Sequence, residues 1–106
     1  MDRGNVDRLL RQAIADKQVV SFSLKGCQRI AEPHDYGIIR GEPKLLFYQV
    51  GGASRRGRGF GWRWARIDEM ADLACLPRRF AGTRAAPSGR HARWDEIFAS
   101  VTRRER

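Results

Sequence analysis

At Val19 the apolar residues of this chain change period. Up to that point Val6, Leu9, Leu10, Ala13 and Ile14 recur as one stripe of a 3.6-residue helix, with Asn5 placed to cap its first turn. From there Val20, Phe22 and Leu24 alternate with Val19, Ser21 and Ser23, the period of a strand. A helix over about residues 5–16 that runs straight into a strand leaves the two little choice but to share a core. In 106 residues, with 42% hydrophobic content, there is room for one core.

Strand signals then follow one another. Lys25-Gly26 offers a tight turn; residues 28–32 can pair back until Pro33 ends that strand or moves it to a sheet edge; residues 36–39 extend or restart it. Gly41 and Pro43 form a further turn, and residues 44–50, KLLFYQV, are the most apolar stretch and the expected central strand. Residues 51–59, GGASRRGRG, lack apolar periodicity and read as a loop. Alternation resumes over residues 60–67, with Phe60, Trp62 and Trp64 on one side and Arg63 and Ala65 on the other. Residues 68–71 read as a turn and 72–76 as a short closing strand before Pro77. After Phe80 the composition shifts to Gly, Thr, Pro and Ser, a linker signal. Trp94, Ile97, Phe98 and Val101 then fall at i, i+3, i+4 and i+7, which predicts a short C-terminal helix whose apolar face docks on the same domain or on another chain.

Charge points to the class of partner. Lys plus Arg outnumber Asp plus Glu by 21 to 12, and lysine occurs only at positions 17, 25 and 44. Arginine offers a planar fork for phosphate or carboxylate and stacks on rings. A high-GC genome enriches arginine as well, so position has to carry the argument. Between residues 55 and 66 lie Arg55, Arg56, Arg58, Arg63 and Arg66, with no acid among them and with Phe60, Trp62 and Trp64 interleaved. Guanidinium forks beside aromatic faces suit a nucleotide or single-stranded nucleic acid, whose phosphates meet charge while the bases stack. Alternating aromatics are equally the pattern of one buried sheet face, and the arginines opposite them the pattern of a solvated one.

Other classes find little support. Cys27 and Cys75 have no metal-type spacing with each other or with His34 and His91, so no metal or cofactor is expected. Cys75 sits in an apolar strand and Cys27 at a hairpin turn, neither typical of an activated thiol. No carboxylate pair or phosphate loop stands out; Glu32, Asp35, Asp68 and Glu69 read as turn caps or as partners of arginines, with Glu32 placed to orient Arg29. No catalytic residue and no enzymatic activity are expected. The N-terminus is charged from Asp2 and no apolar run approaches ~18 residues, so neither signal peptide nor membrane anchor is expected and the expected location is the cytoplasm.

Laid in order, these elements resemble the WYL domain, a bacterial module. Three segments carry the resemblance: LLRQAIADKQVVSFSL from Leu9, GCQRIAEP from Gly26, and RWARI from Arg63, which fits the family's Arg-x-x-Arg-Ile. The Trp-Tyr-Leu tripeptide that names the family is absent, its place taken by Leu45-Leu46-Phe47 or Phe47-Tyr48-Gln49. The resemblance implies a mainly β (α+β) fold. Residues 1–80 would form a small SH3-like or Sm-like antiparallel β-barrel of about five strands with an N-terminal helix, followed by a linker and the short C-terminal helix over 81–106. It also implies a ligand-sensing role of the kind found in transcription regulation, with the ligand held by Arg29, Arg63 and Arg66. Such domains commonly follow a helix-turn-helix module; only a few residues precede the first helix here, so sequence-specific DNA binding in cis is not expected. The expectation is therefore a non-enzymatic domain that binds a nucleotide or short single-stranded nucleic acid through these arginines, with Arg55, Arg56, Arg58, Trp62 and Trp64 beside them. The alternative is an interaction module that forms a homodimer or meets a partner protein through Trp94, Ile97 and Phe98.

Overall fold

The helix forms where its stripe requires. In a computed structural model that describes residues 3–52, 60–82, 84 and 94–101, α1 (Arg3–Asp16) buries Val6, Leu10, Ala13 and Ile14. It ends at Lys17, whose φ of 54° turns the chain out of the helix while its N–H still reaches the Ile14 carbonyl at 3.3 Å. β1 (Gln18–Leu24) starts at the next residue.

Two hairpins follow. Lys25 and Gly26, both at positive φ, join β1 to β2 (Cys27–Ile39), and Arg40 and Gly41, also at positive φ, join β2 to β3 (Glu42–Gly52). Two central residues at positive φ give a turn whose twist matches that of the strands it connects. β4 (Gly61–Arg66), a 3-10 turn (Ile67–Glu69), β5 (Met70–Arg79) and β6 (Glu96–Ser100) complete the described elements. All pairings are antiparallel within one sheet of order β4-β3-β2-β1-β5, and β6 adds to β2.

The long β2 organises this sheet. Its first part, Cys27 to Ala31, pairs with β1, and Asp35 to Ile38 pairs with β6, while β3 runs along its other side. Pro33 therefore does not end the strand. It stands between the two partners, at an irregularity in the β2–β3 register, where the missing N–H removes least from the ladder. β5 likewise continues past Pro77 to Arg79, with Asp72 at φ 56° inside a register shift against β1.

The expected C-terminal helix is corrected by the structure: residues 96–100 form a strand. Where β1 leaves β2, the backbone groups of Asp35 to Ile38 need partners, and a short segment without a helical nucleus supplies them. Gly37 makes the approach feasible, because a Cβ there would stand 2.1 Å from the Glu96 carbonyl oxygen. The ladder stops at β4 on one side and β5 on the other, so the sheet is not closed into the expected barrel. No helix among the described residues is long and apolar enough to cross a membrane.

The inner face of the sheet, under α1, carries the core. Val20, Phe22, Leu24, Ala31, Leu45, Phe47 and Ala65 are buried there with the helix stripe and with Ile67, Met70 and Leu73, and Phe22 meets Phe47 edge-on at 5.1 Å.

Candidate functional site

Toward one end of the inner face the apolar core gives way to polar side chains. Arg29 lies opposite Phe22 across β1–β2, and Arg63 opposite Phe47 across β3–β4. Gln49, fully buried, faces Ala31 on one neighbour and Gly61 on the other. Gly61 has no side chain, and a Cβ built on it would meet nothing within 4 Å, so the inner face is open there. Gly52, at φ +81°, brings the end of β3 against β2 beside Arg29, where a Cβ would be 2.2 Å from the Gln28 carbonyl.

Arg29 is only 6% exposed. Its Nη1 donates to Gln49 Oε1 at 3.2 Å, and Gln49 Nε2 donates to the Gly51 carbonyl at 3.0 Å. Among the described residues, the buried Nε atoms of Arg29 and Arg63 have no acceptor and no carboxylate makes an ion pair with either arginine. Burial lowers the pKa of Arg29 from its ordinary value, and the charge of Arg63 lowers it further, against an opposing contribution from Cys27. The two guanidinium groups thus feel each other, and together they form a concentrated positive charge at an open part of the inner face.

The outer face carries a second cluster that sequence reasoning did not find. Glu32, Tyr48 and Trp62 are cross-strand neighbours on β2, β3 and β4. Arg84 reaches the Glu32 carboxylate with two hydrogen bonds, Nε at 2.7 Å and Nη2 at 3.0 Å, and its guanidinium lies 4.0 Å from the Tyr48 ring centroid. His34, 1% exposed, stacks on Phe80 at 5.5 Å and meets Trp62 edge-on at 4.7 Å. Its Nδ1 donates to the Glu32 carbonyl at 2.8 Å and its Nε2 accepts the Arg84 backbone N–H at 3.2 Å, which fixes the neutral tautomer. Burial lowers the His34 pKa, outweighing the contacts with Glu32 and Asp35 that raise it.

The chain matches no family model, no curated protein and no solved structure.

Alternation along β4 sends the expected site residues to opposite faces. Arg63 points inward with Ala65, whereas Trp62, Trp64 and Arg66 point outward. Arg66 is ion-paired with Glu42 at 3.1 Å and with Asp68 at 3.3 Å, so the expected trio is an inner pair and a separate surface residue. Trp62 packs into the outer cluster and the exposed Trp64 leans on Trp94 at 5.5 Å; neither lies beside the inner arginines. Glu32, expected to orient Arg29, serves Arg84 instead. Arg55, Arg56, Arg58 and His91 lie outside the described residues. Cys27 and Cys75 are free thiols, and burial, with the negative charge of Asp16, pushes Cys75 above its ordinary pKa.

Proposed function

We propose that the chain is a non-enzymatic, WYL-like ligand-binding domain whose inner-face pair, Arg29 and Arg63, binds an anionic group of a nucleotide or short single-stranded nucleic acid. One observation carries this reading: two arginines from strands on either side of β3 converge with buried Nε donors and, among the described residues, no carboxylate partner. Burying a guanidinium without a counter-charge costs folding free energy, and a fold that retains the buried Arg29 beside the half-buried Arg63 at an open position has a use for them. Gln49 orients Arg29, and the space at Gly61 admits the ligand. Arg55, Arg56 and Arg58 precede β4 in sequence and extend the positive charge along the chain toward Arg63.

Titration of a labelled single-stranded oligonucleotide and of nucleotides at several salt concentrations tests the proposal. Two phosphate contacts on a single strand account for a log–log salt slope of about −1.4, so Arg29→Met plus Arg63→Met should flatten the wild-type slope by about that amount and weaken binding. Binding that the double substitution leaves unchanged refutes the assignment.

A second reading, an interaction module, is favoured by a different observation: Trp64 and Ile97 are exposed large hydrophobic residues, and Trp64 sits on β4, an edge strand. Sedimentation showing a dimer that Trp64→Lys dissociates would support it; a monomer at high concentration would remove it.

A further inference from the structure

The outer-face cluster is built to receive a guanidinium group from outside the sheet. Its parts arise from three adjacent strands: Glu32 on β2, Tyr48 on β3 and Trp62 on β4, joined by register. The group that fills it, Arg84, comes after β5 and is itself outside any strand. The receptor surface is therefore made by the sheet, and its occupant is delivered by a separate segment.

The chemistry selects arginine. The Glu32 side chain is 9% exposed, and both its oxygens are engaged by one guanidinium, at 2.7 and 3.0 Å. The Tyr48 ring covers the face of that guanidinium at 4.0 Å. A planar fork satisfies a two-oxygen acceptor and an aromatic face at once, whereas an ammonium can meet them only as a point charge. His34 Nε2 adds an acceptor for a backbone N–H, at 3.2 Å from that of Arg84, so the cluster recognises main chain as well as side chain. The Arg84 side chain remains 36% exposed while Glu32 beneath it is 9% exposed, so the guanidinium caps the cluster at its border with solvent.

We propose that this cluster is an arginine-binding site, occupied in cis by Arg84, which takes an arginine side chain of a partner polypeptide when Arg84 is displaced. It is a site on the opposite face from the inner arginines, for a cationic ligand rather than an anionic one, and it stands whether or not the inner pair binds nucleic acid. In the resting chain Arg84 competes with the partner, so the affinity of the wild-type chain for an arginine peptide is held down.

The test uses the full chain with Arg84→Ala and, as probes, N-acetyl-arginine methylamide and its lysine counterpart, followed through the indole N–H of Trp62 by NMR. The expected result is saturable binding of the arginine probe, at least about tenfold tighter than to the wild-type chain and at least about tenfold tighter than the lysine probe. Adding Glu32→Gln to Arg84→Ala should abolish it. A folded Arg84→Ala chain that ignores the arginine probe, or binds both probes alike, overturns the proposal. Should Arg84→Ala be unfolded alone, recovery of its far-ultraviolet circular dichroism with the arginine probe and not the lysine probe supports the site, and no recovery overturns it.

Discussion

Arg29 on the inner face and Arg84 across the outer one are both drawn partly out of water, and they are treated in opposite ways. Arg84 has a buried carboxylate, a tyrosine ring and a histidine around it, and the hydrogen bond to Glu32 raises its pKa above the ordinary value. Arg29 has one glutamine and a second arginine, and burial lowers its pKa. The outer arginine is satisfied within the molecule and so contributes to the fold. The inner one is left with a charge the described residues do not neutralise, which costs stability and which the proposed function assigns to an external anion. One sheet thus carries an arginine with its counter-charge on one face and an arginine without one, among the described residues, on the other.

The largest effect expected from breaking this contrast is at Arg84. Arg84→Ala leaves the Glu32 carboxylate buried and unpaired and should cost about 2–3 kcal/mol, below the usual price of uncoupling a fully buried pair because Arg84 is partly in water. Glu32→Gln should cost less, about 1 kcal/mol, since Arg84 can turn to solvent. Urea unfolding of both variants checks the asymmetry; equal losses would show that the pair is not held from the Glu32 side.

Acid tests the same face through His34. Its folded pKa is lowered, so between the ordinary value of about 6.5 and the folded value the unfolded chain binds the extra proton and stability rises with pH. Stability should therefore be complete above about pH 6.5 and fall below it by at most about 1.4 kcal/mol per pH unit, levelling off once the pH passes the folded pKa. Glu32, Asp35 and Arg84 are the charged groups that act on the ring. A His34→Gln chain whose stability still falls over that window would place the sensitivity elsewhere.

Much of this arrangement was legible before any coordinates. The helix stripe, the turn at Lys25-Gly26, a turn at Gly41 and the interior position of KLLFYQV all follow from local period and turn chemistry, although the second turn closes at Arg40-Gly41 and leaves Pro43 inside β3. Of the three arginines expected to lie together, Arg29 and Arg63 share the inner face, opposite Phe22 and Phe47, and Arg66 does not. Most of what failed was non-local. Trp94, Ile97, Phe98 and Val101 have helical spacing, yet the stretch of β2 beyond β1 recruits Glu96–Ser100 as a strand, with Ile97 and Phe98 inside it and Trp94 and Val101 flanking it. Pro33 and Pro77 read as stops because a sequence does not show which ladder positions go unpaired. The arginines and tryptophans of β4 were read as one groove, although strict alternation, visible in the sequence itself, already divides Arg63 from Trp62 and Trp64. The Glu32–Arg84 pair spans 52 residues and left no local signal.

At Arg29 the sign of the expected effect reverses. Arg29→Met keeps the volume and removes the uncompensated charge, so it should stabilise the chain by about 1 kcal/mol while weakening oligonucleotide binding. Gln49 loses one donor but keeps its bond to the Gly51 carbonyl, which limits the cost. Urea unfolding measures the first effect and the salt titration the second. A variant destabilised as strongly as Arg84→Ala would mean that Arg29 is structural, and the contrast between the faces would disappear.

Arg11 supplies the smallest effect and the baseline for the others, because it is paired yet exposed. It lies four residues after Asp7 on α1, bonded to that carboxylate at 3.0 Å, and its guanidinium sits 4.9 Å from the Phe98 ring centroid on β6. Water screens the ion pair, so Arg11→Ala should cost only about 0.5 kcal/mol, less at high salt. Desolvation pushes the Asp7 pKa up, but the hydrogen bond from Tyr36 at 2.7 Å and those from Arg11 prevail and lower it. The contribution of that carboxylate is present above its ordinary pKa of about 3.9 and is lost as the pH falls through the folded value. Urea unfolding of Arg11→Ala at pH 7 and pH 3 should show the small difference at the first pH and a smaller one at the second. A loss approaching that of Arg84→Ala would show that exposure does not separate the arginines of this sheet, and that the ring contact with Phe98 rather than the charge holds β6 to the helix.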